Sequence, residues 1–293
     1  MALMAAAMFM LPGIDAFAKL LAATLSPGQV AWGRFAFQSL LLLAVMRVMG
    51  RPLASRQLGV HAARGVLIAA AILMFVWAVK YLPIANALAI FFVEPLLLTL
   101  LSAVFLGERV GGRRLAAVVV GLLGALVVIR PNWQAFGWAA LLPLGTAICF
   151  AGYLTLTRHL AVAEDPLAMQ FWGGLFAAAV LSVAVAAGQA LAVPVLAPAW
   201  PDAREWLLFL GLGVVATVGH LIIAFAFRYA PAGVLAPFQY LEIISATVLG
   251  LLVFGDFPDA MTWLGTAFIV AAGLYVFLME RPPAASTPPV DQP

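Results

Sequence analysis

Apolar runs of roughly twenty residues recur along nearly the whole chain, and that repetition restricts the fold more than any single motif does. A helix of that length crosses the hydrocarbon core of a bilayer with its backbone groups bonded internally. Runs such as Leu115 to Ile129 are apolar on every face, whereas a spanning β-barrel needs strands of alternating polarity. The pattern therefore predicts an all-α integral membrane protein. Composition agrees, because only 9% of the residues are charged, against about a quarter in soluble domains.

Read between Pro, Gly and charge punctuation, the spans fall at roughly 3–23, 29–48, 64–82, 84–106, 114–130, 136–157, 167–187, 206–227, 232–254 and 260–279. Met1 leads into apolar sequence without a basic leader, so the first segment is read as a retained helix. The stretch 281–293 is Pro-rich and polar and is expected to be a disordered tail. Of the 15 Lys and Arg, all but Lys19, Arg34, Lys80, Arg130 and Arg204 fall on one side of a ten-helix topology. That bias predicts a multi-pass inner-membrane protein with both termini in the cytoplasm. It also accounts for the net charge of +3 without a nucleic-acid partner. Cys149 is the only cysteine, so neither an intrachain disulfide nor a thiolate metal cluster is expected, and nothing calls for a cofactor.

An internal repeat organises the chain. Lys80-Tyr81-Leu82-Pro83, Glu94 and Gly107-Glu108 reappear 148 residues later as Arg228-Tyr229-Ala230-Pro231, Glu242 and Gly255-Asp256. A weaker echo sets Lys19 and Pro27 against Arg158 and Pro166. Five helices per unit is an odd number, so the second unit enters the membrane in the opposite sense. The expectation is two inverted five-helix repeats, 1–131 and 132–280, around a central cavity, with substrate bound near the midplane between them.

Residues 84–131 resemble the EamA repeat of the drug/metabolite transporter superfamily. Pro95, the run Phe105-Leu106-Gly107-Glu108-Arg109 and the Gly121-Leu122-Leu123-Gly124 helix ending at Arg130-Pro131 carry the likeness, and Phe254-Gly255-Asp256 repeats it. The resemblance implies ten helices, cytoplasmic termini and a basket around a central cavity. Within the superfamily the chain looks most like the YddG-type amino-acid exporters, with Asp256 where Glu is usual and with Glu94 and Glu242 where apolar or small residues are more frequent. It implies export of amino acids or related small amphipathic metabolites by alternating access. Export of cationic drugs, and uptake of a nucleoside-like solute such as S-adenosylmethionine, are the alternatives.

A carboxylate at membrane depth is costly, so it faces a cavity or a partner. Glu94 and Glu242 occupy equivalent places and are read as cavity groups that bind a substrate ammonium or exchange a proton with it, the alternative being helix-packing carboxylates. Helical spacing sets Phe91 beside Glu94, and Phe238 and Gln239 beside Glu242, with Tyr240 a step round. Trp77 is expected on the cavity wall. Lys80, Tyr81, Arg228 and Tyr229 lie at helix ends, as gates or as headgroup anchors. His220 is read as a proton relay or as a backbone-bonded histidine. Asp15 and Lys19, four apart on the first helix, are expected to neutralise each other, and Ala117, Gly121 and Ala125 to serve helix packing or a homodimer contact in an otherwise monomeric chain.

A phosphate-binding Gly-rich loop with its Lys and Ser/Thr is absent, which excludes ATP coupling within the chain. The histidines at 61, 159 and 220 show no metal-site or hydrolase spacing, and there is no filter sequence or ring of charge. A carrier is thus favoured over a membrane enzyme or a channel.

Overall fold

In the computed structural model, residues 1–55, 57–106, 111–160, 164–229 and 235–279 are described. The sequence motifs at Gly107-Glu108-Arg109 and Ala230-Pro231, and the tail 281–293, lie outside them.

The described residues form helices and turns without a strand. In chain order the helices are α1 (Ala2–Met10), α2 (Pro12–Ala22), α3 (Pro27–Val48), α4 (Leu58–Val79), α5 (Ile84–Phe91), α6 (Glu94–Leu106) and α7 (Gly112–Phe136). After a 3-10 turn come α8 (Leu142–Leu160), α9 (Pro166–Ala190), α10 (Ala203–Tyr229), α11 (Leu241–Leu249) and α12 (Ala260–Met279). Seven helical stretches among the described residues are long and apolar enough to cross a membrane, and two shorter apolar ones are Ile84–Leu98 and Phe238–Phe254. The chain is a multi-pass membrane protein.

Helix starts follow local chemistry. Ser26 caps α3 by accepting from the Gln29 amide, and Asp165 caps α9 by accepting from Leu167 and Ala168, each with Pro in the first turn. Gly137, with φ of 60°, turns the chain between α7 and α8, a backbone conformation that side chains resist.

Two predicted boundaries are corrected. The third helix starts at Leu58 instead of near residue 64, so His61, which bonds to Glu164 before α9, and Arg64, which bonds to Thr157 of α8, sit inside it. The fifth helix runs through Pro131 to Phe136. Proline removes one ladder donor there, while the Asn132 side chain donates back to the Val128 carbonyl at 2.6 Å and binds that turn.

The helices that ought to be continuous in the first, fourth and ninth spans are interrupted. Pro12 opens α2, and Pro95 lies one residue after the α5–α6 break, where the Leu96 and Leu97 amides both turn onto the Val93 carbonyl. A 3-10 turn at Ala236–Tyr240, containing Pro237, precedes α11, which runs into a π-helical turn at Gly250–Phe254. These interruptions lie where α2, α5 and α11 pack on one another, while α7 and α12 pair with each other and α4 crosses α8 and α9.

Candidate functional site

Each of the three interruptions places a carboxylate in the first turn of the helix that follows it: Asp15 in α2, Glu94 in α6 and Glu242 in α11. The helix dipole favours negative charge near that end. Asp15 is 7% exposed and Glu94 is 7% exposed, so both are withdrawn from the outer surface, while Glu242 is half-buried.

Arg34 of α3 is the cation of this region. Its guanidinium interacts electrostatically with Asp15, Glu242 and Tyr153, and with His220 of α10. Asp15 and Glu242 also feel each other's charge. His220 Nδ1 lies 2.6 Å from the Ala216 carbonyl; a carbonyl only accepts, so the proton sits on Nδ1 and Nε2 is left as the acceptor. Two acids, a guanidinium, an imidazole and a phenol thus share one polar region built from α2, α3, α8, α10 and α11.

Glu94 belongs to a neighbouring aromatic group. Tyr240 lies within electrostatic reach of it, and the Tyr240 ring meets Phe92 at 5.6 Å while its hydroxyl sits against Gly273, where a side chain would collide. Phe91 packs on Phe75 at 6.0 Å and on Phe150 at 5.4 Å, and Phe150 meets Tyr153 at 5.5 Å. The aromatic chain therefore leads from the Glu94 side to the Arg34 side. Phe238 packs with Met4, Met8 and Leu235 in a separate apolar cluster, and Gln239 is half-buried in the turn before α11. Trp77 lies edge-on to Trp138 at 4.7 Å, and Tyr81 meets the same indole at 6.3 Å. Lys80, Tyr81 and Tyr229 are exposed at helix ends, and the Arg228 side chain is outside the described residues.

The expected Asp15–Lys19 pair does not form. Lys19 donates to the Asp256 carboxylate at 2.7 Å and to the Leu82 carbonyl at 3.1 Å, and lies over the Phe254 ring at 4.8 Å. One helical turn separates the two residues along the axis. Asp15 finds Arg34 within the bundle, whereas Lys19 reaches the rim where α11 and the α4–α5 turn end.

A second polar network, at the opposite end of α4, was not legible as such. Arg64 is 1% exposed and donates to Thr157 at 2.9 Å, His61 Nδ1 at 3.0 Å, Met169 O at 3.2 Å and the Tyr153 hydroxyl at 3.2 Å. Its guanidinium also lies 4.9 Å from the Tyr153 ring. His61 Nε2 faces Glu164 at 2.6 Å, and Ser55 donates to the same carboxylate. Burial opposes the charged form of Glu164, yet hydrogen bonds from Ser55 and His61 and the Arg64 charge outweigh it and hold its carboxyl below the usual range. The i,i+3 spacing of His61 and Arg64 is the one trace of this network in the sequence. Tyr153 touches both networks.

The sequence matches the EamA-like transporter family over residues 1–130 and 137–278. It is 30% identical to a riboflavin transporter of Vibrio cholerae, over 86% of this chain and 83% of that protein. It is 29% identical to the pseudopaline exporter CntI of Pseudomonas aeruginosa, over 88% of this chain and 89% of the other. An S-adenosylmethionine uptake transporter of Rickettsia felis is 28% identical, over 91% and 88%. A protein crystal structure at 20% identity superposes with a TM-score of 0.64 over 95% of this chain and 98% of the other, so the two share a fold.

Proposed function

The chain belongs to the EamA-like transporter family, and from that membership we propose that it is a secondary carrier of small zwitterionic or amphoteric metabolites, working by alternating access between two inverted repeats. The observation that carries this reading is the polar region joining Asp15 and Arg34 to His220 and Glu242, contributed from both sides of the repeat boundary. A guanidinium beside two carboxylates complements a solute bearing both an acid and an amine, and the adjoining Phe91–Phe150–Tyr153 wall suits an apolar body. Amino acids have that head group, as does S-adenosylmethionine, the solute in the name of one relative. The uncharged ring system of riboflavin uses it less well. Amino-acid export is the leading choice, with S-adenosylmethionine uptake as the second reading.

Alternating access goes with a ten-helix topology, which helix lengths and packing support. Leu115–Thr157 is 43 residues long, about twice what one crossing needs, and turns at Gly137; counted as two crossings and taken with the two shorter apolar helices, it supports a reading of ten. Helix packing is also symmetric under exchange of 1–131 with 132–280. The α7–α12 and α3–α9 pairs map onto themselves, and α4 against α8 exchanges with α10 against α1 and α2. The charge bias puts both termini in the cytoplasm of a bacterial-type inner membrane. In this arrangement Glu94, Glu242, Phe91, Gln239 and Tyr240 contact solute, Trp77 and Phe238 lie toward the walls, His220 relays a proton, and Lys80, Tyr81, Arg228 and Tyr229 stand at the mouths.

The test is uptake by liposomes of purified protein, screening labelled amino acids, S-adenosylmethionine, riboflavin and cationic drugs. The expected result is saturable flux of a zwitterion that falls at least tenfold in Glu242→Gln and Arg34→Gln, with folding retained. Flux confined to uncharged or purely cationic solutes would overturn the proposal.

A further inference from the structure

Outside the bundle interior, α7 and α12 form a groove that the transport reading does not use. The two helices run antiparallel and meet backbone to backbone at one crossing, where a Cβ on Gly124 would lie 2.9 Å from the Gly265 carbonyl and one on Gly265 would lie 2.6 Å from the Gly124 carbonyl. From that crossing toward the start of α7 the facing residues are Ala116, Ala117, Val120, Ala271 and Ala272, too small to fill the widening gap. The result is a cavity of about 360 Å³, open on its outer side and ending at Arg113 and Tyr275. Ala116, Val120 and Ala271 are exposed there, as are Arg113 and the Tyr275 ring.

The two ends of this groove differ in chemistry. Its floor is apolar and faces the hydrocarbon, since the apolar run of α7 begins at Leu115. Arg113 stands two residues outside that run, at headgroup depth, with a tyrosine beside it of the kind that favours the interface. Arg113 enters no ion pair among the described residues. Arg113 is the charged residue lining the groove, so its end is positive. An apolar slot capped by a guanidinium matches an acyl chain joined to a negative headgroup.

We propose that the α7–α12 groove binds an anionic phospholipid, its acyl chain lying over Ala116, Val120 and Ala271 and its phosphate meeting Arg113. The lipid completes the packing that the small residues leave open and so braces the paired helices against each other.

The test uses the full chain in a nonionic detergent, titrated with dioleoyl phosphatidylglycerol or with dioleoyl phosphatidylcholine, and reads bound lipid by native mass spectrometry together with the thermal midpoint. Phosphatidylglycerol should be retained and should raise the midpoint, while phosphatidylcholine does neither. Arg113→Ala should weaken phosphatidylglycerol binding about fivefold, as expected for one basic residue at an anionic surface, and Arg113→Lys should restore most of it. Ala116→Phe with Ala271→Phe should remove retention from a protein that still unfolds cooperatively. Equal retention of the two lipids, or binding unchanged by Arg113→Ala, would overturn the proposal. So would a dimer that the groove-filling pair converts to monomer, since a second copy would then be the occupant.

Discussion

Replacing Arg64 with leucine should lower the stability of the folded protein by about 3 kcal/mol, because the change removes a buried cation on which two helices and a loop depend. The guanidinium donates to Thr157, His61, Met169 and Tyr153, all within 2.9–3.2 Å. At about 0.6–1 kcal/mol for each hydrogen bond between membrane helices, the three that leave α4 contribute about 2–3 kcal/mol, and the bond to His61 within α4 adds to them. Leucine recovers some of the packing but leaves His61 Nδ1 and the Tyr153 hydroxyl without this donor. Thr157 loses least, since its hydroxyl already donates to the Tyr153 carbonyl at 2.7 Å. For a chain of this size the loss corresponds to a fall in thermal midpoint of roughly 6–12 °C. The molecule supplies its own probe, because Cys149 of α8 is the only cysteine and a thiol-reactive dye reports its exposure on unfolding. Tyr153→Phe combined with Arg64→Leu should cost less than the two singly added, since they share a bond. A midpoint within about 2 °C of the parent, or strict additivity with Tyr153→Phe, would refute the reasoning.

Gly265→Ala should destabilise by about 1–3 kcal/mol through overpacking at the α7–α12 crossing, read in the same assay, whereas Gly59→Ala, which meets nothing within 4 Å, should be neutral or slightly stabilising. The Glu164 carboxyl titrates below its ordinary 4.5 in the folded protein, so its contribution is full above that value and is lost as pH falls through the folded pKa. Thermal midpoints measured from pH 7 to pH 3.5 should accordingly fall more steeply for the parent than for Glu164→Gln; parallel curves would remove the carboxylate from the network.

Hydropathy alone determined that this is a helical membrane chain, because a spanning segment must satisfy its backbone internally and so writes its length and polarity into the sequence. The small residues at Ala117, Gly121 and Ala125 likewise announced helix contacts, and the structure packs Gly121 on Leu96 and on Ala272 of α12. The charge partners were beyond such reading. Asp15 and Lys19 are four apart on one helix, yet one pairs with Arg34's field and the other with Asp256, more than two hundred residues away. His61 and Arg64 showed only a spacing, and their role appeared once α8, α9 and Glu164 closed around them. The first, fourth and ninth spans read as continuous despite prolines at 12, 95 and 237, and that each break presents a carboxylate in a first helical turn depends on where the chain resumes its helix. Periodicity and transfer energy are local properties, legible one segment at a time. Which buried charge meets which is set by how separate helices cross, and that is decided only when the whole bundle packs.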